Sequence, residues 1–196
     1  MNQILDKEKL GTTDLLAGEA MTIAAYLLEA KRRLNHVRYL EIGVFAVGTM
    51  KMLKNIVPTG RFVGMDLFDD FIMAEDNTHI SGTFTQADVQ AFLGDDVTLI
   101  KGDTRDTLPR LNEQFDFIFI DGNHSYKATW DDFRGAEQKL APGGHIGFHN
   151  CSTWIDPDFT YVLRDGGPWQ MTEELRRQPG WKMVAEVNRL RVFTRA

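Results

Sequence analysis

Five short apolar runs in this chain each stop at residues suited to ligand chemistry. Val37 to Val44 carries Glu41 and Gly43, and Arg61 to Leu67 carries Asp66. Val97 to Asp103 leads into Thr104, Phe115 to Asp121 into Gly122-Asn123-His124, and His145 to His149 into Asn150. Carboxylates accept hydrogen bonds from sugar hydroxyls or pair with an ammonium, a glycine lets a ligand reach the backbone, and an imidazole takes protons or binds metals near neutrality. Asp66 lies 23 residues beyond Gly43, where an acid ending the second strand of a nucleotide-binding unit holds the ribose. That pair fits a nicotinamide dinucleotide and S-adenosylmethionine equally. The dinucleotide fingerprint G-x-G-x-x-G is missing, because the run reads Gly43-Val-Phe-Ala-Val-Gly48. Glu41 would also set a carboxylate beside any pyrophosphate. The same carboxylate suits an ammonium group, which S-adenosylmethionine has, without any phosphate.

The elements that must hold these residues follow from periodicity. Residues 14–34 predict a helix, with Leu16, Ala20, Ile23 and Leu27 at helical spacing and Lys31, Arg32 and Arg33 at its C-terminal end. Further helices are predicted from Gly48 to Val57, Gln86 to Leu93 and Thr104 to Leu111. A long one has Tyr126, Trp130, Phe133, Ala136 and Leu140 on one face, and Gly143-Gly144 turns the chain into the fifth strand. Strand–helix alternation demands right-handed crossovers and a parallel sheet. Trp181 to Val187 and Leu190 to Thr194 are joined only by Asn188-Arg189, too short for a crossover, so they form a hairpin. The expected fold is α/β: a doubly wound, mostly parallel seven-stranded sheet with a C-terminal antiparallel hairpin. Ligands bind such sheets beyond the C-terminal strand ends, where the residues above lie.

The segments EIGVFAVGT, VGMDLFDDF, IKGDTRDTLP and FIDGNHSYKATWDDF…LAPGGHIGFHN resemble, in order, the motifs of class I S-adenosylmethionine-dependent methyltransferases. They are most similar to small catechol-type O-methyltransferases and bacterial relatives acting on sugars and other small molecules. The similarity spans residues 37–150. It implies a Rossmann-like single domain over residues 1–196, with a helical arm (1–36), the cofactor core (37–150), a substrate loop (151–180) and the hairpin (181–196). It implies that Glu41 and Gly43 face the methionine part of the cofactor, Asp66 the ribose, and Asp103 and Thr104 the adenine. Asp121, also beside the cofactor, would be first ligand of a divalent metal, with His149 and Asn150 completing the set. His124 stands where the family has a lysine base. Two positions depart from the family. Val47 occupies the second glycine of the loop, and His149-Asn150 replaces Asp-Asn, which favours a softer ion than magnesium or no ion.

Each residue has a plainer alternative. Glu41 and Asp66 as solvated acids, Asp103 and His124 as helix caps, and His149 as a hydrogen-bonded sheet-end histidine all fit the sequence. Cys151 reads as a small buried side chain. A nicotinamide-dependent oxidoreductase, an N-methyltransferase and a non-catalytic member of the fold are the competing functions. The net charge of -6 argues against a nucleic-acid partner. The single cysteine and the lack of an apolar span or signal core predict a cytoplasmic protein without a membrane partner. The expected partner is a small-molecule acceptor, contacted by residues 1–14, 69–84 and 151–180; a homo-oligomer is left open.

Overall fold

The computed structural model describes residues 10–68, 70–72, 79–81, 84–152 and 166–196. Along the chain come α1 (Ala17–Leu34), β1 (Arg38–Ile42), α2 (Gly48–Ile56), β2 (Arg61–Asp66), β3 (Asp70–Ile72), β4 (His79–Ser81), α3 (Gln86–Leu93) and β5 (Val97–Lys101). Then follow α4 (Thr104–Thr107), a 3-10 turn (Leu108–Arg110), β6 (Phe115–Ile120), α5 (Tyr126–Glu137), β7 (Leu140–Phe148), α6 (Gly167–Leu175), β8 (Trp181–Val187) and β9 (Leu190–Arg195). Among the described residues the main sheet has seven strands in the order β5-β2-β1-β6-β7-β9-β8. The first five are parallel, and β9 runs antiparallel to both β7 and β8. This is the class I methyltransferase sheet, with the expected hairpin at its end.

Strand alternation splits the core in two. Tyr39, Phe117 and Phe119 point to the face covered by α1, α2 and α3, together with Ile23, Leu27, Met50, Leu53 and Val89. Leu40, Ile118 and Ile120 point to the opposite face with Phe133, Ala136, Met171 and Leu175 from α5 and α6. All six residues of β6 are buried, as a central strand covered on both faces requires. The strand order reverses between β1 and β6, so a crevice opens beyond their C-terminal ends.

Two local expectations are corrected. Leu140 does not lie on the α5 face: the helix ends at Glu137 and β7 begins at Leu140, opposite Phe115. Gly143-Gly144 sits inside β7, where the register with β6 shifts between Phe115 and Phe117, and Gly143 takes φ +71°. Leu140 still packs in the core beneath α5, so its apolar position was compatible with either element. Within residues 69–84, three-residue strands β3 and β4 pair antiparallel, too short to show alternation in sequence.

Candidate functional site

The crevice at the β1/β6 reversal holds about 470 Å³ and is lined by Glu41, Gly43, Asp66, Asp103, Thr104, Asp121, His124, His149 and Asn150. The size suits a small-molecule or cofactor site. All the residues proposed from the strand ends therefore converge on one cavity. Residues 153–165 of the expected substrate segment lie outside the described residues.

Gly43 is required by its surroundings. It adopts φ +83°, and a Cβ there would come within 2.3 Å of the Asp121 carbonyl oxygen. The turns after β1 and β6 thus meet backbone to backbone. Asp66 then shapes the loop: its Oδ2 accepts from the amides of Val44 (2.9 Å) and Phe45 (3.0 Å), and its Oδ1 from that of Phe68 (3.2 Å). Val47 caps α2 at φ 59°, ψ 11°, a left-handed conformation that glycine adopts without strain. The departure at Val47 therefore leaves the turn in its glycine-like shape. Residues just before α1 cross the start of α2. Gly11 donates to the Ala46 carbonyl (2.7 Å), Thr12 accepts from the Gly48 amide (3.1 Å), and Thr13 shares a hydroxyl bond with Thr49 (2.7 Å). Thr12, Thr13 and Asp14 line the same cavity.

Glu41 is buried and accepts a hydrogen bond from the Tyr39 hydroxyl at 2.9 Å. Burial pushes its carboxyl well above the usual range, and the nearby charges of Asp121 and Asp66 push the same way against the Tyr39 bond. A cation placed beside it would favour its ionised form. Asp103 caps α4, accepting from the Arg105 amide (2.8 Å) and pairing with the Arg105 guanidinium, which lowers its pKa. Thr104 donates its hydroxyl to Asp132 Oδ1 at 2.5 Å.

The residue pattern of residues 40–151 matches the family model described as a methyltransferase domain. The chain belongs to the methyltransferase-domain family. It is an S-adenosylmethionine-dependent methyltransferase, and the nicotinamide-dependent alternative falls. No curated protein matches the chain. Solved structures agree on the fold at low identity. The methyltransferase PaMTH1 of Podospora anserina, solved with S-adenosylhomocysteine, is 15% identical with a TM-score of 0.64 over 98% of this chain and 87% of that one. An O-methyltransferase of Bacillus cereus, also with S-adenosylhomocysteine, is 19% identical at TM-score 0.60 over 96% and 86%. MycE from mycinamycin biosynthesis, solved with magnesium, S-adenosylhomocysteine and mycinamycin VI, is 16% identical at TM-score 0.63; this methyltransferase covers 55% of it.

At the end of β6 the methyltransferase builds a chain of four titratable side chains. His124 Nε2 lies 3.2 Å from Asp121 Oδ1, and His149 Nδ1 lies 3.2 Å from the same oxygen. His149 Nε2 lies 3.3 Å from Glu19 Oε2. Glu19, fully buried on α1, also accepts from the amides of Leu16 (2.7 Å) and Arg189 (2.7 Å). Burial alone would favour a neutral His149 ring. The Asp121 charge and the bonds to Asp121 and Glu19 outweigh it and raise the His149 pKa to about 9. Burial opposes ionisation of Asp121, but the two histidines hold it below its ordinary range.

Of the expected metal set, Asp121 and His149 face each other at 3.2 Å, and Asn150 lines the same cavity. Each ring nitrogen of His149 thus faces a carboxylate, Asp121 at Nδ1 and Glu19 at Nε2. Among the described residues no three His, Cys, Asp or Glu side chains are grouped to hold a metal ion.

Three contributors were not singled out from sequence. Glu19 shares the buried face of α1 with Ile23 and Leu27, and an acid on an apolar stripe was its one signal. Tyr39 shares a strand face with Glu41 by the two-residue period. Asp132 on α5 lines the cavity, and burial, together with Asp103 and Asp131, raises its pKa to about 6 against the Thr104 bond. Cys151 is a buried thiol, pushed up to about 12 by burial, as its plain reading requires. Among the described residues no helix is long and apolar enough to cross a membrane.

Proposed function

We propose that this methyltransferase moves the methyl group of S-adenosylmethionine to a hydroxyl oxygen of a small molecule, with His124 as the base. The observation that carries the reading is the His124–Asp121 hydrogen bond on the cavity wall. An ionised Asp121 favours the ring tautomer with hydrogen on Nε2, so His124 Nδ1 is the proton acceptor. The acceptor oxygen attacks the methyl carbon from behind, the carbon–sulfur bond breaks, and its electron pair stays on sulfur. The hydroxyl proton passes to His124 Nδ1. Holding the oxygen in line behind the methyl supplies much of the rate.

The rest of the cavity suits the cofactor. Glu41 is placed to ionise when the cofactor's ammonium arrives. Asp66 spends three acceptor sites on backbone amides, which leaves about one of a carboxylate's four for a ribose hydroxyl. Asp103 and Thr104 stand toward the adenine. The O-methyltransferases of similar fold support oxygen as the acceptor atom.

The test is transfer of labelled methyl to a panel of phenols, glycosides and amines, alongside calorimetry with S-adenosylhomocysteine. Phenols or glycosides should be methylated. His124→Ala should cut kcat about 10²–10⁴-fold with cofactor affinity nearly unchanged. Labelling confined to amines would replace the oxygen reading with N-methylation. Full activity of His124→Ala on a methylated hydroxyl would remove His124 from the chemistry.

A further inference from the structure

We infer that Asp132 reads the purine of the cofactor: its Oδ2 atom accepts a hydrogen bond from the 6-amino group of adenine and so sets a preference for adenosyl over inosyl cofactors. The inference deepens the methyl-transfer reading and rests on the cofactor placement given there.

Asp132 lies midway along α5 and lines the cavity, yet it is only 6% exposed. Among the described residues the Thr104 hydroxyl, on Oδ1, is the carboxyl's one hydrogen-bond partner. Oδ2 is left without one. Buried polar groups are as a rule paired, and a carboxylate removed from water with a single bond is unfavourable. Burial, with Asp103 and Asp131 nearby, works against its charge. Fold stability alone would not place an acid here, so an acid in this wall marks a ligand contact. Gly122 bears this out. A Cβ there would lie 3.3 Å from Asp132 Oδ2, and Gly122 has no left-handed φ that would oblige a glycine. What the glycine provides is room beside that oxygen.

The rival acceptors are occupied. Asp103 takes three hydrogen bonds from Arg105: the amide (2.8 Å) and Nε (2.9 Å) on Oδ1, and Nη2 (2.5 Å) on Oδ2. Asp131 pairs with Lys127 at 2.5 Å. Asp66 already holds the amides of Val44, Phe45 and Phe68. Of the roughly four acceptor sites of a carboxylate, Asp132 keeps all but the one given to Thr104. The chemistry of the ligand follows. With the methionine end at Glu41 and the ribose at Asp66, the base extends toward the loop after β5, where Thr104 meets Asp132. Adenine offers that loop ring-nitrogen acceptors and a single donor, its 6-amino group. Only the amino group can use a carboxylate oxygen. Thr104 acts through Asp132, fixing the carboxyl with Oδ2 on the Gly122 side, and is a positioning residue.

The experiment is calorimetry on the full-length protein with S-adenosylhomocysteine and with S-inosylhomocysteine, which carries a carbonyl oxygen in place of the amino group. Wild type should bind the adenosyl compound at least about tenfold more tightly, because the inosyl oxygen faces an acceptor. In Asp132→Asn the Thr104 hydroxyl keeps the amide oxygen, and the amide NH2 takes the place of Oδ2. A donor then stands where an acceptor stood. That variant should bind S-adenosylhomocysteine at least about tenfold more weakly than wild type, and S-inosylhomocysteine more tightly. A merely structural carboxyl would not exchange the two preferences. Wild type that binds both compounds within about twofold overturns the inference, whether or not the variant folds. An Asp132→Asn protein with the wild-type preference overturns it as well. So does an exchange of preference produced by Asp103→Asn, which would return the amino contact to Asp103. Failure of wild type to bind either compound would overturn the methyl-transfer reading and this assignment with it, whereas equal binding of both overturns the assignment alone.

Discussion

Val47 offers a direct test of how the cofactor loop is held. It stands at φ 59° and is 1% exposed, within the core under α1, α2 and α3. A left-handed backbone costs an ordinary L-residue roughly 1–2 kcal/mol. Burying a valine side chain returns about 1.5–3 kcal/mol. Burial therefore outweighs strain, which accounts for valine where the loop pattern has glycine. Val47→Ala gives up two methyl groups, about 1.6 kcal/mol at ~0.8 each, and keeps the strain. Val47→Gly gives up slightly more burial and adds chain freedom, but releases the strain. The two variants should thus lie close together, each about 1–2 kcal/mol below wild type, with glycine no worse than alanine. At a buried position with negative φ, alanine would lead glycine by at least ~0.5–1 kcal/mol. Urea unfolding of the three proteins without cofactor reads the order, and each kcal/mol corresponds to about 2–4 °C in a melting scan. An alanine variant more stable than the glycine variant by about 1 kcal/mol or more would refute the left-handed assignment.

Two other expectations concern the carboxylates of the cavity. Asp66→Ala should weaken S-adenosylhomocysteine by about 1–3 kcal/mol, since it unpairs a ribose hydroxyl and releases the Val44, Phe45 and Phe68 amides. Calorimetric affinity within twofold of wild type would exclude a ribose role. Asp132 titrates near 6 in the folded chain against an ordinary 3.8, so its ionisation opposes folding fully above the first value and not at all below the second. Asp132→Asn should therefore stabilise the protein by ~1–3 kcal/mol at pH 7, a gain that fades as pH drops toward 4. Urea midpoints that match wild type at pH 7 would show that the carboxyl is not under strain there.

What the sequence reveals here depends on whether the physics is local. β6 reads directly, because six consecutive core residues bounded by Asp121-Gly122 suit a central strand. The Asn188-Arg189 link reads as a hairpin because its length forbids anything else. Asp66 and Gly43 read through spacing within one βαβ unit. Leu140 misleads because helix face and strand share one core there, and the glycine pair marks a shifted register inside β7. The contacts of His149 with Asp121 and Glu19 could not be read at all. Those partners are 28 and 130 residues away, and no local pattern links an acid on α1 to a histidine after β7. The resemblance to catechol-type enzymes supplied metal roles for Asp121, His149 and Asn150, whereas the geometry turns two of them toward each other.

The crowd of acids in the cavity has a consistent electrostatic meaning under the proposed placement. Burial raises the Glu41 carboxyl above its ordinary range, and the charges of Asp121 and Asp66 push the same way. S-adenosylmethionine brings two positive groups and one carboxylate into that field, so its arrival relieves the repulsion and lets Glu41 ionise. Methyl transfer then removes the sulfonium charge. The product keeps the ammonium but no longer offsets the acids as well, so the site that draws the cofactor in holds its product less firmly. Asp121 escapes this cycle, because its charge is balanced from behind by His149 rather than by the ligand. That separation lets one carboxylate stay fixed to orient His124 while its neighbours respond to each turnover.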